Sequence, residues 1–172
     1  MYKIFLDDDK VVQDSIDNLV ISPKLKEKLN GVDSLEYTIP YDNVYFNDYE
    51  RRKSKIKVMY GADIIFKGRM LDERKTFDGS KTLTFEGELA FLNDIQYPPY
   101  DFAGDYDEFF RNIIDYYNSK CDQDNRFKVG QITLTDPNHY IVRSSESYSS
   151  CWKCINDKIL SYGGYLKIRY VG

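Results

Sequence analysis

From Lys55 to Leu89 the chain alternates apolar and polar residues and breaks only twice, at Tyr60-Gly61-Ala62-Asp63 and at Phe77-Asp78-Gly79-Ser80. A period of two sends successive side chains to opposite faces, and a glycine at each break supplies the positive φ that a tight turn needs. The stretch predicts a three-stranded antiparallel meander. Ile56, Val58 and Tyr60 line its first strand, Ile64, Phe66, Gly68 and Met70 its second, and Leu83, Phe85, Gly87 and Leu89 its third. Glu86 and Glu88 fall on the opposite, polar face, where Lys67 and Arg69 of the neighbouring strand offer cross-strand ion pairs. Paired carboxylates also suggest a glycosidase, but that chemistry needs them across a cleft, with one buried enough to keep its proton. We read scaffold here.

The rest of the first half has the same character. Tyr2 to Leu6 predicts a strand, Asp7-Asp8-Asp9 a turn and Lys10 the start of a return strand; three consecutive aspartates on alternating faces converge poorly on a metal ion. Asn30-Gly31 predicts a hairpin turn, followed by a strand carrying Leu35, Tyr37 and Ile39. Asp42 or Asn43 is expected to cap a short helical turn ending near Arg51. In the basic run Arg51, Arg52, Lys53, Lys55 and Lys57, the last two alternate with Ile56 and Val58, which suits a solvated sheet edge better than a phosphate track.

After Asp94 the pattern changes. Tyr97-Pro98-Pro99-Tyr100 stiffens the chain and is barred from a central strand, so the boundary is placed there: a β-rich, barrel-like domain over 1–96 and a mixed domain over 97–172. Asp105 and Glu108 form a capping box ahead of an apolar stripe of Tyr106, Phe109, Phe110, Ile113, Ile114 and Tyr117, which predicts a helix over 106–120. "RFKVGQITLT" and "YIVR" read as strands separated by an Asp136-Pro137-Asn138 turn. Ser149 or Ser150 caps a second helix carrying Trp152, Ile155, Ile159 and Leu160, ended by Gly163-Gly164, and "YLKIRY" reads as a returning strand. The fold class is α+β.

Composition narrows function mainly by exclusion. The net charge of −4 has no basic excess in either half, which disfavours tight nucleic-acid binding. No apolar run is long enough to span a membrane, and the acidic N-terminus is unlike a secretion signal. The three cysteines, Cys121, Cys151 and Cys154, are read as free thiols of a reducing compartment. Cys151-Trp152-Lys153-Cys154 at a helix start suits a thiol oxidoreductase, although the redox fold would place it after a central strand. With Cys121 and His139, the same pair suggests a Cys3His zinc site, but only one local ligand pair is present. His139 is more simply a turn residue. We assign no catalytic, cofactor-binding or metal residue and no cofactor. The 16 tyrosines and 10 phenylalanines suit strand faces and subunit interfaces alike.

Several segments in order, "LNGVDSLEYTIPYDNVYF", "ERRKSKIKVMYGADIIFKGRM", "TLTFEGELAFLND" before "YPPY", and "NDKILSYGGYLKIRY", resemble the N-terminal region of siphophage minor structural, tail-associated lysin proteins, also called prophage endopeptidase tail proteins. The resemblance covers nearly the whole chain. It implies a domain similar to the baseplate hub of contractile phages: a homotrimer at the virion tail tip that closes the tail tube beneath the distal tail ring protein and lets DNA pass without binding it. It further implies synthesis in the bacterial host cytoplasm, with any peptidoglycan- or polysaccharide-degrading activity in a C-terminal module beyond Gly172. Two alternatives remain open at this point: a carbohydrate- or cell-wall-binding module with tyrosines stacking on sugars, and the thiol enzyme.

Overall fold

Alternating sequence becomes sheet in the computed structural model, which describes residues 1–14, 19–134 and 136–170. The first half supplies β1 (Tyr2–Leu6), β2 (Lys10–Gln13), β3 (Ile21–Lys26), β4 (Ser34–Ile39), β5 (Lys55–Tyr60), β6 (Asp63–Lys75) and β7 (Lys81–Gly87). They form one antiparallel sheet in the order β2-β1-β5-β6-β7-β4-β3. The expected meander is β5-β6-β7, with Gly61 and Gly79 at positive φ in its two turns. Burial alternates along each of its strands as the sequence pattern demands.

Four details differ from the sequence reading. Leu89 is not part of β7, because residues Glu88–Asn93 turn into a 3-10 helix. The basic run does not lie on an edge, since β5 is paired on both sides, by β1 and β6. No helix forms after Asp42; the Asn43 side chain instead accepts from the Tyr45 amide at 3.0 Å, closing a local turn. The β3-β4 hairpin is present, and Asn30 has positive φ, but the connection spans residues 27–33 and is closed by Lys28 N–H donating to Asp33 Oδ1 at 2.7 Å.

The sheet is curled into a half-barrel, and its connectivity shows why. β2 and β3 are consecutive in sequence yet stand on opposite rims, which a flat seven-stranded sheet would hold roughly 29 Å apart at about 4.8 Å per strand. Here the Val20 amide, one residue before β3, donates to Gln13 Oε1 at 2.7 Å. Val12 and Val20 consequently share one core with Ile4, Leu6, Ile39, Phe66 and Phe85. The 40–54 segment packs onto this core through Tyr49, and Arg52 N–H and Met70 N–H tie the segment and β6 together, donating to Met70 O and Ser54 O respectively.

The described residues group into two compact units, Met1–Glu88 with the C-terminal stretch from Ile168, and Leu89–Lys167. The units part upstream of the Pro98-Pro99 pair on which the sequence reading placed the boundary. In the second unit β8 (Gln96–Tyr97) and β9 (Tyr100–Gly104) flank that pair, followed by α1 (Tyr106–Lys120), β10 (Ile141–Ser145), β11 (Ser149–Ser150) and α2 (Cys151–Lys158). β9 pairs with β10, and β8 with β11, as separate two-stranded sheets. α1 matches its expected bounds: Asp105 accepts from the Glu108 amide at 2.9 Å, and Tyr106, Phe109, Ile113, Ile114 and Tyr117 are buried.

Residues 126–134 are not a strand, and Thr135 lies outside the described residues. Asn118 of α1 clamps this segment at Phe127, donating Nδ2–H to its carbonyl at 2.7 Å and accepting its amide at Oδ1 at 2.9 Å. The ladder partner of "YIVR" is therefore β9, a strand that the proline pair concealed. α2 ends at Lys158, a further 3-10 turn runs over Leu160–Tyr162, and Gly163 and Gly164 follow at positive φ. Residues 165–170 carry no strand assignment. Arg143 of β10 reaches the end of α2, donating to Lys158 O at 3.1 Å and stacking 4.0 Å from the Tyr162 ring centre. Among the described residues, no helix is long and apolar enough to cross a membrane.

Candidate functional site

The groups that carry chemical potential in the sequence lie in different surroundings. Glu86 accepts from Arg69 Nε at 2.8 Å across β6 and β7, the ion pair expected from the alternation. Glu88 has left the strand for the 3-10 helix; burial raises its pKa, against the pull of Lys67 and Lys55. Lys57 faces Lys67, and Lys55 faces Arg69, directly across β5 and β6. Like charges so placed repel, and the carboxylates of Asp8, Glu86 and Glu88 offset this, Asp8 binding Lys57 at 3.1 Å. This is a compensated sheet face, not an anion track.

The Cys-x-x-Cys pair is at the start of α2, capped by Ser150, whose hydroxyl accepts from the Lys153 amide at 3.1 Å. Helix geometry places positions 151, 154 and 155 on one face, and that face is the buried one: Cys151 is 0% and Cys154 2% exposed, beside Ile155. The cysteines, rather than Trp152, form the packing stripe. Burial pushes the Cys151 thiol up to about 12 and also raises Cys154, whose S–H donates to the Tyr100 hydroxyl at 3.5 Å. A nucleophilic thiolate requires the opposite shift and an open approach. Cys121 and His139 do not join the pair; no group of three or more His, Cys, Asp or Glu side chains is arranged to hold a metal among the described residues. His139 is exposed in the Asp136 turn, its amide donating to Asp136 O at 2.9 Å.

Beside the dithiol, on the solvent side, is a cleft of about 510 Å3. It is lined by Tyr100 and Cys154, by the serine loop that leads from β10 into α2, and by Lys153 and Asp157 of α2. The loop "SSESYSS" was informative in the sequence only as a source of helix caps. Ser145, Ser147, Ser149 and Ser150 of this loop line the cleft; the Ser145 hydroxyl donates to Ser147 O at 3.0 Å and the Ser150 hydroxyl to Asn93 Oδ1 at 3.1 Å. Tyr97, Tyr100 and Phe109 pack behind it, edge to face or tilted, with ring centres 5.4–5.5 Å apart.

Fold and site together define a two-unit α+β protein: a filled, curled antiparallel sheet, and a smaller helix-bearing unit with an open, hydroxyl-rich cleft over buried thiols. No family model and no curated protein sequence matches the chain.

Proposed function

We propose that this chain is a structural domain of a phage or prophage tail tip, the hub region of a tail-associated protein, working by assembly rather than by turnover. The observation that carries the reading is a set of large apolar side chains left exposed on a unit that buries a core of its own. Among the described residues fourteen buried side chains form the core of the curled sheet, while the Tyr2 and Tyr60 rings lie 4.8 Å apart in a tilted contact and remain 58% and 52% exposed. Phe77 is wholly exposed at the β6-β7 turn, and Tyr41 and Val44 are 70% and 73% exposed. Burying such surface against a partner yields about 25 cal/mol per Å2 before the costs of association.

In this reading three copies surround an axial passage and meet the distal tail ring protein. Because the curled sheet is filled with side chains, the passage lies between copies and not through one of them. The net charge of −4 lets DNA pass without adhering. No catalytic role is proposed for these residues; lytic chemistry in such a protein would belong to a C-terminal module. Native mass spectrometry of the chain, alone and co-expressed with the distal ring protein of the same phage, is expected to give a trimer or a ring-bound complex. Replacing Tyr2 and Tyr60 together by serine should weaken it. A chain that stays monomeric in both preparations defeats the proposal.

A further inference from the structure

We infer that the cleft between the serine loop and α2 is a binding site for a neutral saccharide, with a sugar ring stacked on Tyr148 and its hydroxyls met by loop serines and Gln96. The site does not depend on tail assembly, and it narrows a general tyrosine-based expectation to one place. At about 510 Å3 the cleft falls within the range of roughly 300–1,000 Å3 typical of small-molecule sites. Its walls are more polar than most such sites, and that selects the ligand.

An apolar ligand would strip water from the hydroxyls of Ser147 and Ser149 without replacing those hydrogen bonds, whereas the Ser145 hydroxyl is already bonded within the loop, donating to Ser147 O at 3.0 Å. An anion would meet Asp157, which stays ionised because Lys153 bonds to it and holds its carboxyl below the usual range. That pairing also neutralises Lys153, leaving Lys158 as the other cation of the wall. An extended peptide adding beside the β8-β11 pair would find strands only two residues long to bond to. Pro98 and Pro99 follow β8 without an N–H to donate, and β11 runs straight into α2, so the ladder cannot grow. A sugar satisfies what is left. Its hydroxyls both donate and accept, as serine does, and its C–H face suits an aromatic ring. Tyr148 is 65% exposed at the rim, available for that contact.

The test is an amide NMR titration of the 172-residue chain with N,N′-diacetylchitobiose, cellobiose and maltose, with inorganic phosphate and tetra-alanine as further arms. The expected result is saturable shifts at Gln96, the loop serines and Lys153 with at least one saccharide. Tyr148→Ala should weaken it about tenfold, the equivalent of about 1.4 kcal/mol, with the remaining spectrum unchanged. Tyr148→Phe should keep most of it, and Tyr41→Ala, remote in sequence and equally exposed, all of it. The inference is overturned if no saccharide shifts these amides, if the shifts lie elsewhere, if Tyr148→Ala binds as well as the parent, or if phosphate or peptide binds there and the sugars do not.

Discussion

Tyr37 and Tyr49 illustrate how much can depend on one polar contact inside an apolar core. Their hydroxyls lie 2.9 Å apart, with Tyr37 1% exposed and its ring stacked on Phe85 at 5.1 Å. Removing one hydroxyl leaves the other dry and unpaired; Tyr37→Phe should cost about 1–3 kcal/mol. Adding Tyr49→Phe should recover much of that loss, an outcome that urea melts in a double-mutant cycle would read directly. Cys151 gives a pH signature. Its pKa is raised by burial from 9.0 to about 12, so above pH 9 the unfolded chain releases a proton that the folded chain keeps. Its contribution is complete below pH 9 and is lost as the pH climbs towards 12. The stability of Cys151→Ala should therefore fall less over that window in denaturant titrations at stepped pH. Sequence placed Cys151 and Cys154 at a helix start correctly, but spacing cannot distinguish a reactive helix face from a buried one. Only the surrounding unit decides that.

At the scale of the element, the meander was legible because a half-buried strand writes its geometry into a period of two, and the same holds for α1 with its cap and stripe. Gly68 shows what the pattern left out. A Cβ there would lie 2.1 Å from the carbonyl oxygen of Glu86, on the backbone of β7, where nothing flexible can yield. Gly68→Ala should therefore destabilise by about 3 kcal/mol or more, whereas Gly130→Ala, with no atom within 4 Å of its added Cβ, should be nearly neutral; thermal melts of the two variants are the comparison. The strand expected over 126–135 is not formed over its described residues, 126–134, for a reason no local window contains. Burial still alternates along much of 126–134, but Asn118 holds the Phe127 amide and carbonyl that a ladder would need. Conversely, β9 was hidden by Pro98-Pro99, because two prolines exclude a central strand but permit one beside them in a two-stranded sheet.

For the whole molecule, the α+β class and the order of a large sheet before a helix-bearing unit followed from sequence, but the strand order did not. Placing β5 between β1 and β6 depends on long-range pairings such as Ile4 with Val58, which leave no local trace. The hydroxyl-lined cleft was illegible for the same reason: Gln96, Tyr100 and Tyr148 are brought together by the β8-β11 and β9-β10 ladders. The rims of the first unit also bear on how copies could associate. β3 carries Pro23, Lys24 and Lys26 along its exposed edge, with Ser22 at positive φ and an irregular register, all of which deter main-chain pairing with a neighbour. Contacts between copies would then run through side chains such as the Tyr2-Tyr60 pair.

The bond from Val20 to Gln13 spans seven positions of chain, whereas the pairing of Tyr37 with Leu83 must close a loop several times longer. Chain entropy opposes the short closure far less, so the seam that draws the two rims together is among the first long-strand contacts available during folding. Stopped-flow refolding of Gln13→Ala should then be slower than that of the parent with little change in unfolding rate. The reverse partition would mean that the rims meet last.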